Sequence, residues 1–311
     1  MAHDDCDTYM LNLRDAIRTA IKDERREFLK AATRGLRFAY AESVETLYKF
    51  KSLAGESRDH IKDIIFNSRL YFSTQDQFND PLDCAPIFKL AGDPNDPAFL
   101  AELRRDEADM IREERMTPER VAKLRASEGV PPEEMAAAIT RNVREELRRT
   151  LHIFCFSATR EPTQLWSHYA GSHAGVCLHF KVVPGEITGL ARGIDYVSDR
   201  PPVMVPLRYN LSEQEVARRM SLIKAESWRY ESEYRILANP EVDWGHRFDG
   251  HYVSFPPELL TAVTLGMRVS PTDREAVRKW ARDRNPSLAG WEAYEDPHTF
   301  ALAFRKVAAP A

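Results

Sequence analysis

The 311-residue sequence predicts an α+β fold, with a central split or mixed β-sheet, flanking helices, an N-terminal helix and a helical insertion. Three observations carry that expectation. Strand-like runs are short and irregularly spaced, and most of them lie late in the chain. Helix-period segments come in blocks, without the one-for-one alternation of a doubly wound parallel sheet. No motif recurs at a fixed period, and no low-complexity tract interrupts the chain.

In order, residues 7–42 read as a helix. Leu11, Leu13, Ile17, Ala20, Ile21, Phe28 and Leu29 recur at three- and four-residue steps between charged side chains. Residues 1–45 are therefore expected to form an appendage that packs on the fold or pairs two copies into a homodimer. Residues 46–311 are expected to be one domain. Leu47-Tyr48-Lys49-Phe50 reads as a short strand, residues 55–67 as a helix on Ile61, Ile64 and Ile65, and residues 70–73 as a second strand. Phe78-Asn79-Asp80-Pro81 reads as a loop, because Asn and Asp make local side-chain turns and Pro81 disfavours helix at Asp80. Residues 96–150 are rich in Arg, Glu and Ala and poor in aromatics. Breaks at Pro118 and Pro131-Pro132 suggest inserted helices starting near Pro97, Thr117 and Pro131. Residues 152–157 and 175–180 read as strands around a short helical segment carrying Trp166 to Ala170. Beyond them, strands are expected at 203–209, from 234 to 237, at 253–255, 260–265 and 300–304. Helices are expected at 212–227 and 272–283.

A formal net charge of −4 supplies no basic field, so a nucleic-acid target would need a local patch. Glu and Asp alternate with Arg in the insertion, the pattern of a solvated face. No apolar run reaches about 18 residues, so no membrane span is expected. Met1-Ala2-His3-Asp4-Asp5 has no apolar signal core, which points to a cytoplasmic protein. Cys6, Cys84, Cys155 and Cys177 show no CxxC spacing, and Cys155 and Cys177 read as small buried hydrophobes. His168, His173 and His179 match no compact zinc pattern and have no acidic residue among them, so no metal is expected. Neither GxGxxG nor GxxxxGK[ST] is present.

Chemistry concentrates in four runs, each at the end of a strand-like segment. Glu231 and Glu233 flank Ser232, and in an extended segment both carboxylates would share one face. Buried together they would raise each other's pKa, and they would suit a reaction with developing positive charge. In Trp166-Ser167-His168-Tyr169, helical spacing puts Trp166 and Tyr169 on one side and turns His168 about 100° from Tyr169. His168 can donate or accept a proton near neutrality. Core packing explains Trp166 equally well, and Ser167 lacks a GxSxG elbow. Tyr48 and Lys49 leave the first strand on opposite faces, Lys49 as a surface charge or a phosphate contact. Ser73 and Thr74 could bond a ribose or amide, or cap the following turn. Asn79 and Asp80 read as a turn or as part of a pocket.

These runs resemble a widespread bacterial family of uncharacterised function. Its motifs are L-Y-K-Y/F, F-S-x-x-x-x-F-N-D-P, W-S-H-Y-A before G-[VI]-C-[IL]-x-F, and W-x-Y-E-x-E-[YW]-R. The chain supplies them at residues 47–50, 72–81, 166–180 and 228–235, with a fitting L-G strand end at 260–266. The match covers roughly residues 46–305 and brings no settled activity. In order and chemistry, rather than in a matched string, the layout is also similar to ADP-ribosyltransferases, especially the bacterial kind that modifies DNA bases.

That second likeness implies NAD as substrate, a nucleic-acid or protein acceptor, and a toxin or anti-phage role. Tyr48 or Lys49 would fill the first-strand position, Ser73 the second and Glu233 the third. Glu233 would hold the nicotinamide-ribose hydroxyl and stabilise the cationic transition state, Glu231 would orient the acceptor, and His168 would hold a ribose. Tyr48, Trp166 and Tyr169 would stack a base. Lys49 or Arg235 would meet the pyrophosphate, and Asn79, Asp80 and Ser167 would complete the pocket. The alternative is a non-enzymatic ligand- or partner-binding module of a bacterial conflict or regulatory system. A metal-dependent nuclease using Asp80, His168 and Glu233 is disfavoured by the sparseness of acidic residues.

Overall fold

A computed structural model describes residues 37–93, 96–112, 132–205, 219–240 and 246–307. The α+β expectation holds. The helix expected over residues 7–42 lies outside the described residues except for its end. There, residues 37–43 make a bridge and a turn, with Phe38 paired to Arg192.

β1 (Thr46–Lys51) is the pivot of an eight-stranded mixed sheet ordered β15-β14-β13-β5-β1-β4-β10-β6. On one side of β1 lie β5 (Val176–Lys181), β13 (Leu260–Leu265), β14 (Ala289–Glu295) and β15 (Leu302–Val307). On the other lie β4 (His152–Ser157), β10 (Glu233–Ala238) and β6 (Arg192–Gly193). Every pairing is antiparallel except β13 with β14. The aromatic and β-branched content of β4 and β5 suits strands buried on both faces.

One face of the sheet carries the main core, where Leu47, Phe154, Phe156, Phe180 and Ile236 are buried. Helix α1 (Glu56–Lys62) covers it and runs into a π-helical turn, Asp63–Asn67, that buries Ile64 and Ile65. α2 (Pro97–Arg112) and α3 (Pro132–Thr150) belong to the expected insertion, and the helix expected near Thr117 lies outside the described residues. α4 (Thr163–Tyr169) packs on the opposite face of β1, setting Trp166 edge-on to Phe50 at 5.2 Å. α5 (Pro271–Arg284) buries Val277 and Ala281. It starts at Ser270, whose hydroxyl accepts from the Asp273 amide at 3.1 Å, with proline at its first position.

Two expectations need correction. β14 has no counterpart in the sequence reading, because Gly290 and flanking glutamates weaken its strand signal. Residues 223–225, expected as helix, form the strand β9 (Ile223–Ala225), and Glu226–Glu231 is a 3-10 turn. Gly175 is required where it stands: a Cβ there would collide with the Lys51 carbonyl, so this glycine lets the turn before β5 close on the end of β1.

The sheet forks at β1. Against β5, β1 is paired along its full length, Thr46↔Lys181 through Lys51↔Val176. Against β4 it pairs only at Tyr48↔Ser157. Two residues further along β4, Lys49 Nζ donates to the Cys155 carbonyl at 2.8 Å, in place of a strand amide. Two further still, Ser73 takes over as neighbour and exchanges both backbone bonds with Ile153 (2.9 and 2.8 Å). Ser73 follows β2 (Arg69–Tyr71), which pairs with β12 (Tyr252–Ser254) in a separate small sheet. The ladder is thus open between Tyr48 and Ser73, and the opening is the mouth of a cleft.

Candidate active site

The cleft has a volume of about 300 Å³, in the range of small-molecule sites. Because it opens in the plane of the sheet, side chains from both faces of β1 reach it: Tyr48, Lys49 and Phe50 all line it. Phe78 and Asn79 come from the loop after Ser73, and His168 and Tyr169 from the end of α4. Cys155 and Ser157 come from β4, and Asp83, Lys224, Glu231 and Glu233 form the floor.

The two glutamates do not converge by strand alternation. Glu231 ends the 3-10 turn, Ser232 adopts a left-handed conformation (φ 44°, ψ 51°), and Glu233 begins β10. The kink turns both carboxylates inward. Three bonds hold it: Ser157 Oγ donates to the Glu231 carbonyl (2.6 Å), Ala158 N to the Ser232 carbonyl (2.9 Å), and Glu233 N to Tyr196 Oη (2.8 Å). A left-handed serine is uncommon and persists where its surroundings fix it.

Beneath the floor, Arg235 is fully buried and reaches three ways. Its Nε donates to Glu233 Oε1 (2.6 Å), its Nη2 to Asp83 Oδ2 (2.5 Å), and its Nη1 to the Ser221 carbonyl (2.9 Å). Lys224 Nζ donates to Glu231 Oε2 (2.6 Å) and Glu233 Oε2 (2.9 Å) and lies 3.3 Å from Asp83 Oδ2. Three carboxylates thus share two cations, and the shortfall falls on Glu231. Burial would raise Glu233, but Arg235 and Lys224 outweigh it and hold that carboxyl well below its usual range. Burial would likewise lower Lys224, but Glu233 and Asp83 keep its ammonium charged. For Glu231 burial wins: desolvation, then the charge of Glu233, push it up, against Lys224 and Tyr169. Tyr169 Oη donates to Glu231 Oε1 at 2.5 Å, and burial and that carboxylate push the phenol up in turn.

Above the floor, His168 is exposed at the rim, its Nδ1 2.9 Å from Tyr230 Oη. Asn79 Nδ2 lies 3.4 Å from Tyr169 Oη. Asp83 Oδ1 is a buried acceptor without a partner, so the floor holds hydrogen-bonding capacity that the protein does not use.

Of the residues singled out from the sequence, Tyr48, Lys49, Ser73, Asn79, His168, Tyr169, Glu231 and Glu233 meet in this cleft. Four do not line it. Trp166 is wholly buried among Phe50, Cys177 and Ala293, its Nε1 donating to the Arg160 carbonyl (2.8 Å), so it is core and stacks no ligand. Ser167 is exposed beside His173, outside the cleft. Asp80 accepts from the Leu82 amide (2.8 Å) and shapes the turn before Asp83. Arg235 sits below the floor and meets carboxylates, not a pyrophosphate. Lys224 and Asp83 were missed. Lys224 lay in a stretch expected to be helical, and no local pattern marks it. Asp83 stands two residues after the FNDP run, and that proximity was its one available signal.

Among the described residues no group of three or more His, Cys, Asp or Glu could hold a metal ion, and no helix is long and apolar enough to cross a membrane. Comparison with protein-family models, curated proteins and solved structures returns no match.

Proposed function

We propose that the protein is an ADP-ribosyltransferase-like enzyme that cleaves NAD and passes ADP-ribose to a nucleic-acid or protein acceptor. One observation carries the reading: a carboxylate of raised pKa, Glu231, at the floor of an aromatic-walled cleft, beside a second carboxylate held ionised. The proposed division of labour keeps the roles expected from the sequence and adds proton transfer at Glu231. Glu233 is saturated by Arg235 and Lys224, so it supplies fixed negative charge where the ribose becomes oxocarbenium-like. Glu231, less firmly compensated, is poised to move a proton. The C–N bond to nicotinamide breaks and its electron pair neutralises the pyridinium nitrogen. The acceptor oxygen or nitrogen forms the new bond to the ribose carbon, and its proton goes to Glu231. Tyr48, Phe50, Phe78 and Tyr169 supply ring surface for a base.

The test is incubation of the protein with labelled NAD and either nucleic acid or lysate protein, reading nicotinamide release and label transfer. Wild-type protein should release nicotinamide and Glu231→Gln should not. No release with either acceptor, or equal release by the variant, would overturn the proposal. The compensated floor also suits a pocket that binds without reacting. In that case NAD or ADP-ribose would stabilise the fold, by about 2.7 kcal/mol at one hundred times the dissociation constant, with no nicotinamide formed.

A further inference from the structure

Lys49 and Lys51 stand two residues apart on β1, so their side chains leave the same face. Their surroundings differ from those of the floor lysine. Lys224 has three carboxylates within ion-pair distance. Lys49 Nζ has the Cys155 carbonyl at 2.8 Å and the Phe154 ring at 4.7 Å. Lys51 Nζ has His60 Nδ1 at 3.2 Å. Among the described residues no carboxylate lies within ion-pair distance of Lys49 or Lys51. Burial lowers both ammonium groups, and the charge of Lys49 lowers Lys51 further, to about 7. Glu233 and Glu231 act on Lys49 only from beyond ion-pair distance and do not outweigh its burial. Two neighbouring, partly desolvated cations with no carboxylate in direct contact are costly to a fold unless something else pairs with them.

Their position shows where that charge would come from. Lys49 lines the cleft. Past it, His60 stacks on Tyr71 at 4.1 Å, and Tyr71 Oη accepts from Gln77 Nε2 at 2.8 Å, with Gln77 again lining the cleft. Lys51 and His60 are thus joined to the cleft lining through Tyr71 and Gln77, next to Lys49.

We propose that Lys49 and Lys51 together form a phosphate-binding subsite, through which the cleft takes a ligand carrying a phosphate or pyrophosphate group. Each ammonium has spare N–H donors, and charge-assisted bonds to phosphate oxygens are among the stronger polar contacts. The subsite stands whether or not the cleft cleaves NAD, since it concerns recognition of an oxyanion.

The test titrates wild-type protein with inorganic pyrophosphate, with ADP and with adenosine, reading melting temperature and calorimetric affinity. Pyrophosphate and ADP should stabilise the protein, and adenosine at the same concentration should not match them. Lys51→Met should weaken pyrophosphate roughly 10- to 100-fold, while Lys51→Arg keeps most of the affinity. Ligand-free Lys51→Met should melt at or above the wild-type temperature, since an uncompensated cation has been removed. Pyrophosphate without effect on the wild type would overturn the subsite. So would a Lys51→Met protein that melts lower yet binds pyrophosphate as tightly, which would assign the lysine to the fold. Pyrophosphate binding without nicotinamide release would keep the subsite and remove the proposed activity.

Discussion

The two halves of the sheet that meet at β1 handle buried polarity in opposite ways. Toward β5 the ladder of β1 is complete, and the polar pair enclosed between β5 and β13 is neutral. His179, held unprotonated by burial with a pKa of about 3, lies 2.8 Å from Thr264 Oγ1 and edge-on to Tyr48 at 4.9 Å. Toward β4 and β10 the ladder is broken, and the polar groups are charged: three carboxylates against Lys224 and Arg235, with Lys49 across the gap. Pairing along a full strand leaves no room for a ligand, so its polar groups need only satisfy each other. Where pairing stops, charges can be held close to a space that a small molecule can enter.

Changing each half in turn sharpens that contrast. The largest effect is expected from Arg235→Met, which leaves Glu233 and Asp83 buried without their guanidinium. About 3–5 kcal/mol of stability should be lost, read by chemical denaturation, and a variant as stable as wild type would mean the floor does not depend on this charge. Glu231→Gln comes next. It should cost about 10²-fold or more in nicotinamide release while the melting temperature stays near wild type. In the complete half, Thr264→Val should cost about 1–3 kcal/mol by leaving His179 unpaired, with nicotinamide release within about twofold of wild type. A large loss of turnover there would show that the two halves are not separable.

A further effect concerns pH. Lys51 has a folded pKa of about 7 against an ordinary 10.5, so between those values the unfolded chain binds more protons and stability rises with pH. Glu231, raised from 4.5, acts with the opposite sign: above that value the folded chain holds the extra proton, and stability falls as pH climbs. Comparing Lys51→Met with wild type isolates the lysine. The melting-temperature advantage of the variant should be largest near pH 7 and shrink toward pH 10, and a difference that does not change with pH would contradict the burial of this ammonium.

What could be read from the sequence depended on how local the cause was. The turn at Asp80 followed from side-chain bonding and Pro81, and the helix ending in Tyr169 followed from spacing. The strands of β4 and β5 stood out by composition, whereas β14, diluted by glycine and glutamate, did not. Glu231 and Glu233 could be chosen as a pair, but the reason they meet was out of reach. An extended segment was expected, and a left-handed Ser232 does the turning. Arg235 looked like a ligand contact because nothing local shows that β10 lies inside the sheet, between β4 and β6. Lys224 was beyond reach for the same reason: its three partners lie at 83, 231 and 233, and only the tertiary fold assembles them.

The interruption beside β4 has a cost of its own. A strand edge with free amides and carbonyls is a template onto which an extended peptide, or another copy of the chain, can add itself. Tyr48 and Ser73 cover Ser157 and Ile153, and an ammonium sits over the one carbonyl between them. The uncovered edge is a single residue long, too short to nucleate β-augmentation, and its cationic plug disfavours an incoming strand. The same lysine that borders the cleft therefore guards the protein against sticking to itself.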